Sequence, residues 1–149
     1  MIIRQMEEAD LDQVCEIECA MFTDPWSRRG FLDCLQLDYV ITFVITKGEQ
    51  IAGYGCLYLV LDEGDIMNIA IDAGFQGKGL GGRLLDALLD AGKLKGAKTF
   101  FLEVRKHNTP AINLYTSRGF SQIAVRKNFY QKPMEDALVM KKDVSIHHP

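Results

Sequence analysis

The residues with the clearest chemical use are Gln76-Gly77-Lys78-Gly79-Leu80-Gly81-Gly82. They follow an apolar, strand-like run, Ile66-Met67-Asn68-Ile69-Ala70-Ile71, and open a helical run with leucines at 80, 84 and 88. A glycine-rich turn entering a helix lets backbone N–H groups converge on an anion, and the helix dipole adds partial positive charge there. Glycine suits the turn because side chains would block that approach and some positions call for φ > 0. Residues 76–82 are therefore expected to hold a phosphate-bearing ligand.

Two phosphate chemistries fit the letters. Gly77-x-Gly79-x-x-Gly82 matches a dinucleotide fingerprint, and Glu103 stands about 20 residues further on, where a ribose-binding acid belongs. The same residues also read as Gln76-x-x-Gly79-x-Gly81. A P-loop is excluded because Gly79 follows Lys78 where serine or threonine is required. A dinucleotide fold runs its strand straight into the first glycine, whereas Asp72-Ala73-Gly74-Phe75-Gln76 intervenes here. Only one short helix and two strand-like runs remain after Glu103, too few for further βα units. The plainest alternative is a turn that binds nothing, but four glycines in six residues carry an entropic cost that an idle turn does not explain.

The elements around the loop come from periodicity. Ile2–Met6 reads as a strand. Residues 8–21 read as a helix with Leu11, Val14, Ile17 and Met21 inward. A second helix runs from an Ser27 cap to Leu37, with Phe31, Cys34 and Leu35 inward. Tyr39–Thr46, Gln50–Leu61 and residues 65–71 read as an antiparallel meander, turning at Lys47-Gly48-Glu49 and Asp62-Glu63-Gly64. A helix over 80–95 ends near Gly96. The strand Thr99–Val104 follows, and the helix between implies a parallel crossover. Thr109, as cap, and Pro110 start a short helix that stops at Gly119. Phe120–Lys127 and Ala137–Lys142 are two last strands, with Phe129, Tyr130 and Pro133 in a long loop between them. This is a mixed α/β sheet of six or seven strands with about four helices, a single domain over 1–149.

Composition bounds the setting. The chain of 149 residues has 48% apolar and 25% charged residues, ordinary for a globular protein. A net charge of −3 leaves no electrostatic footprint for nucleic acid. No apolar run would span a bilayer. Met1-Ile2-Ile3-Arg4 passes directly into an acidic segment, unlike a signal peptide, so a cytoplasmic location is expected. The four cysteines form no CxxC pair and read as small buried apolar residues. His147 and His148 have no visible partners for a site.

This order of elements resembles the GNAT fold, and Gln76-x-x-Gly79-x-Gly81 resembles the pyrophosphate loop of the GNAT acetyl-CoA-dependent N-acetyltransferases. The likeness covers nearly the whole chain. Residues 75–85, Leu102-Glu103-Val104-Arg105, Asn108, Ala111–Tyr115, Arg118-Gly119-Phe120, Glu135-Asp136-Ala137 and Asp24-Pro25-Trp26-Ser27 narrow it to the bacterial ribosomal-protein-alanine branch of that family. The resemblance implies acetyl-CoA as co-substrate and no metal. The acceptor it implies is a protein N-terminal amine, specifically the N-terminal alanine of ribosomal protein number eighteen of the small subunit. It implies coenzyme contacts from Ile69, Ala70, Ile71, Gln76, Gly77, Lys78, Gly79, Leu80, Gly81, Gly82 and Asn108.

Acetyl transfer to an amine needs positioning and proton handling. An α-amine, with a pKa of about 7.7–8, is nearer neutrality than lysine at about 10.4 and needs only mild base assistance. Glu103 alternates with Phe101, so an acid intrudes on an apolar strand face, and burial there would raise its pKa. Periodicity alone favours a strand-end carboxylate reaching solvent or pairing with Arg105 or Lys106; the resemblance makes Glu103 the base. Tyr115 shares a helix face with Ala111 and alone reads as core; the resemblance makes it the acid that protonates the leaving thiolate. Asn108 alone reads as a turn or cap residue. Trp26 reads equally as a core plug or as one wall of a peptide groove, Tyr130 is a candidate for the other wall, and Phe129 stands where similar sequences often carry tyrosine. A lysine or small-amine acetyltransferase, or a non-catalytic CoA-binding domain, remains an alternative.

Overall fold

The computed structural model describes residues 1–144; His147 and His148 lie outside them. In chain order, β1 (Ile2–Gln5) leads through a short 3-10 turn into α1 (Leu11–Met21) and α2 (Arg28–Leu35). β2 (Val40–Lys47), β3 (Gln50–Val60) and β4 (Glu63–Ile71) follow, then α3 (Leu80–Leu94), β5 (Thr99–Arg105), α4 (Thr109–Ser117), β6 (Ser121–Tyr130) and β7 (Glu135–Asp143). One seven-stranded sheet has the order β1-β2-β3-β4-β5-β7-β6. β4 and β5 are its parallel pair, and every other pairing is antiparallel. The expected mixed sheet, meander and crossover are all present.

Helices cover both faces. On one side Leu11, Val14, Phe31, Tyr54 and Cys56 pack together between α1, α2 and the sheet. On the other, α3 lays Leu85, Leu88 and Leu89 against Leu57, Ile66 and Phe100. The leucine spacing that marked this helix is the stripe it buries.

The β4–β5 pairing is short. It runs from Glu63 opposite Thr99 to Ile66 opposite Leu102 and then stops. The cause is visible on β4. Cys56 faces Asn68 while Leu57 faces Ile66, so Met67 is an extra residue, a β-bulge toward β3. A bulge bends its strand and increases the local twist, and past it β4 follows β3 while β5 follows β7. The two parallel strands splay, leaving an edge of β4 without a strand partner. That opening positions the site.

Several sequence expectations are corrected by these boundaries. The turn into β4 falls on Leu61-Asp62, with Leu61 at φ 55, and Gly64 lies within the strand. Gly64 is glycine for packing: a Cβ there would lie 2.8 Å from the Phe100 ring. Met21 is exposed, and Glu18 takes the inward position on α1. α2 stops at Leu35; Phe31 is its buried residue, with Cys34 and Leu35 only half-buried. β6 continues through Tyr130, so Phe129 and Tyr130 belong to a strand and the loop shrinks to 131–134. Of the cysteines only Cys56 is buried, whereas Cys19 is exposed and Cys15 and Cys34 are half-buried. No helix of the described residues is long and apolar enough to cross a membrane.

Candidate active site

The splay between β4 and β5 opens a cleft of about 370 Å³. Ile66, Met67, Asn68 and Ile69 line it from β4, and Leu102, Glu103, Val104 and Arg105 from β5. Asn108, Ala111 and Tyr115 close it from α4, Trp26 from the α1–α2 loop, and Tyr130 and Pro133 from the β6–β7 end. Glu103, Tyr115, Asn108 and Ile69, far apart in sequence, therefore meet in one cavity. A wider groove of about 810 Å³ near Leu35, Asp38 and Lys95 contains none of the sequence-predicted site residues.

Tyr115 is buried, 7% exposed, and packs edge-on against Phe120. Burial, helped by Tyr130 nearby, pushes its hydroxyl up to about 12. No hydrogen bond ties that hydroxyl to another described residue, so it faces the cleft with its proton in place. The carbonyl tether that a core tyrosine usually carries is absent among the described residues.

Glu103 differs from its sequence reading. In β5 the buried residues are Phe100, Leu102 and Val104, and Glu103 is on the half-exposed face with Phe101 and Arg105. Its carboxylate is paired with Arg126 of β6 at 2.7 Å, not with Arg105 or Lys106. The acid does not intrude on a buried apolar face. It lines the cleft with 31% of its side chain exposed. A partner two strands away across a sheet has no signature in local spacing.

Arg105 is occupied elsewhere. It pairs with Glu135 at 3.2 Å, donates to the carbonyls of Gln131 and Pro133 at 3.0 Å each, and stacks 4.4 Å above the Tyr130 ring. One side chain thus fixes the β6–β7 turn and sets Tyr130 as a cleft wall. Phe129 turns away, half-exposed, under the Arg126 guanidinium. Asn108 is the cap of α4: its Oδ1 accepts from Ala111 N–H at 3.3 Å, a role the sequence reading gave to Thr109.

The glycine loop lies past the end of β4, beyond the residues that line the cleft. Gly77 and Gly79 have φ of 79° and 76°, and Gly79 is the cap residue of α3. These two are the positions where glycine answers a backbone demand. No side chain caps this helix, so the first-turn N–H groups keep their donors free. Gln76 donates its Nε2 to the Ile71 carbonyl at 3.1 Å, folding the loop back on β4. Gly81 approaches both Ile71 and Leu114, so the start of α3 sits beside β4 and α4. Lys78 lies 5.5 Å over the Phe75 ring. Ala70 is buried, and Ile71, like Ile69, is half-buried at the edge that β5 has left. A donor-rich loop thus continues into an unpaired strand edge and then into the cleft.

This geometry has counterparts. The acetyltransferase (GNAT) family profile matches residues 11–120. The chain belongs to the GNAT family. The ribosomal protein bS18-alanine N-acetyltransferase of Escherichia coli K12 is 36% identical over 97% of this chain and 98% of its own. That of Haemophilus influenzae is 39% identical over 93% and 96%. The crystal structure of the Escherichia coli ribosomal-protein-S18-alanine N-acetyltransferase superposes with a TM-score of 0.89 at 35% identity, covering 99% of this chain and 96% of that one. Membership of the family makes the chain an acetyl-CoA-dependent N-acetyltransferase in fold and lineage.

Glu18 escaped the sequence reading, although it was legible: it falls seven residues after Leu11 and four after Val14, on the buried face of α1. It lines the cleft floor and joins Trp26, Tyr54 and Asn68. None of the four cysteines lines the cleft. Among the described residues, no three His, Cys, Asp or Glu side chains are grouped as metal ligands would be.

Proposed function

We propose that this enzyme transfers acetyl from acetyl-CoA to the α-amine of a protein N-terminus, and that its substrate is the N-terminal alanine of ribosomal protein number eighteen of the small subunit. The observation that carries the reading is likeness along nearly the whole chain, at 36–39% identity, to enzymes named for that reaction. The cleft chemistry agrees with it. The substrate places the work in the cytoplasm.

The residues present suit the coenzyme. Gln76, Gly77, Lys78 and Gly79, open where a Cβ would stand at the two glycines, lead into the uncapped first turn of Leu80, Gly81 and Gly82 and together suit a pyrophosphate, with Gly82 packed against the Arg118 guanidinium. The unpaired edge at Ile69-Ala70-Ile71 offers backbone groups to an extended amide-bearing arm. Asn108, the cap residue of α4, lines the cleft beside this edge. Acetyl-CoA supplies the activated acyl group as a thioester.

The chain's own groups handle protons. Glu103 receives the proton of the incoming α-ammonium, directly or through a water, and Arg126 holds its carboxylate at the cleft wall. The α-amine needs little help, because its pKa of about 7.7–8 leaves a useful neutral fraction at pH 7. Tyr115 Oη donates toward the sulfur as negative charge gathers there. A hydroxyl near 12 is always loaded at neutral pH. It is a weaker acid than a thiol of about 8.5, so it acts first as a hydrogen-bond donor to the departing sulfur.

Thiol release measured with two peptides tests the reading. One copies the ribosomal N-terminus with a free amine, and the other carries a formyl block there. Release with the first alone is expected. Equal release with both, when each contains an internal lysine, would replace the reading with lysine acetylation. Release with neither, while acetyl-CoA still raises the melting temperature, would leave a binding domain.

A further inference from the structure

Glu18 is a charged residue only 1% exposed, and charged side chains are rarely buried without a partner of opposite charge. No lysine, arginine or histidine among the described residues forms an ion pair with it. Instead three neutral donors converge on it. The backbone N–H of Trp26 reaches Oε2 at 2.9 Å, the Asn68 amide reaches Oε1 at 2.7 Å, and the Tyr54 hydroxyl donates to Oε1 as well. All three donate, which suits an acceptor-only carboxylate.

The three donors belong to three elements: the α1–α2 loop, β4 next to its Met67 bulge, and β3. Two of them, Trp26 and Asn68, line the cleft alongside Glu103 and Tyr115. The Trp26 bond is the notable one. Thr23, Asp24 and Pro25, which precede it, make no side-chain hydrogen bond among the described residues, and they are exposed. The Trp26 ring leans on Phe31 at 5.2 Å, but that contact is apolar and non-directional. Of the loop residues that line the cleft, Phe22 is held by its N–H to the Glu18 carbonyl, and Trp26 by its N–H to the Glu18 side chain. An apolar residue in its place would leave the Trp26, Asn68 and Tyr54 donors without their acceptor, so the carboxylate both stabilises the fold and ties the loop to β3 and β4.

We propose that Glu18 is a positioning residue that sets the width of the amine-acceptor side of the cleft. It holds Trp26 by its backbone and Asn68 by its side chain. Trp26 belongs to the α1–α2 loop, remote in sequence from the glycine loop at 76–82, so the effect is expected on the peptide more than on the coenzyme. This role rests on the acceptor reading above only for its kinetic consequence; the structural consequence stands without any substrate.

Two variants separate positioning from general stability. In Glu18→Gln one oxygen can still serve Tyr54 and Asn68, but an amide then faces the Trp26 N–H, donor against donor. Tyr54→Phe removes one donor and leaves the Trp26 bond intact. Trp26 is the sole tryptophan, so its fluorescence reports the loop directly. Acrylamide quenching of Trp26 is expected to strengthen about twofold in Glu18→Gln and to stay at the native value in Tyr54→Phe, although both variants melt earlier. Quenching unchanged in Glu18→Gln, or raised equally in both, overturns the proposal. With the peptide, Glu18→Gln should raise KM about tenfold, the size of one lost charge-assisted hydrogen bond, with kcat and the KM for acetyl-CoA within about twofold. A fall in kcat at unchanged peptide KM also overturns it. If the native protein acetylates no peptide, the acceptor reading fails by itself and the quenching result still decides the role of Glu18. Should Glu18→Gln not fold, amide exchange in the native protein decides: a Trp26 N–H protected like α1 upholds the bond, and one exchanging as fast as Thr23 and Asp24 removes it.

Discussion

At the scale of single residues, the proposed proton work falls on two side chains, and their surroundings make different demands. Tyr115 sits near 12 because it is buried. Its proton is retained across the assay range, so kcat measured from pH 6 to 10 should rise as the amine is neutralised and then stay level. A decline between pH 8 and 10 would assign the acid to another group. Tyr115→Phe should lower kcat by about 10²-fold, the lower end for a lost proton donor, with little change in either KM. Glu103→Gln should lower kcat/KM by a similar factor of about 10², read in the same steady-state assay. Both residues were visible in the sequence through their motif. The Arg126 pairing of Glu103 was not, because it joins β5 to β6 across β7, and strand periodicity carries no information about which strands become neighbours. Glu18 was visible as an acid on an apolar helix face, but its significance needed β3 and β4 to be in place beneath it.

At the scale of elements, two glycines serve different purposes and should fail differently. Gly79 caps α3 at φ 76°, with open space where a Cβ would stand. Gly79→Ala should cost roughly 1–2 kcal/mol through its left-handed backbone and should raise the KM for acetyl-CoA. Gly64 sits in β4 against Phe100, where a Cβ would arrive at 2.8 Å. Gly64→Ala should cost about 1–3 kcal/mol by overpacking and leave both KM values alone. Thermal melts paired with steady-state kinetics on the two variants check this contrast. Sequence reading found the loop glycines, whose spacing is local. It misread Gly64 as a turn residue because a close approach between β4 and the Phe100 ring is a tertiary fact. The bulge at Met67, which opens the cleft, was equally invisible: nothing in Ile66-Met67-Asn68 distinguishes an extra residue from an ordinary strand step.

For the whole molecule, the succession of helices and strands, the meander and the parallel crossover were largely legible, because hydrophobic periods of two and of about 3.6 alternate along the chain, whereas the place of β7 between β5 and β6 was not. The late hairpin was the exception: exposed β6 lacks a clean apolar alternation, and its last residues read as loop. The folded state also holds two tyrosine protons tightly. Burial raises Tyr54, with its Glu18 hydrogen bond adding to the effect, and raises Tyr115 to about 12. The unfolded chain releases such protons near pH 10, so this stability is fully present below about pH 10 and is lost as pH rises toward 12. Urea midpoints should therefore fall steadily above pH 10, and a midpoint flat to pH 11.5 would contradict the buried hydroxyls. The most direct test of the proposed activity is mass spectrometry of a ribosomal N-terminal peptide with an internal lysine, after incubation with the enzyme and acetyl-CoA. Fragmentation should locate a single acetyl group on the α-amine. Acetyl on the lysine with the α-amine free would contradict N-terminal transfer.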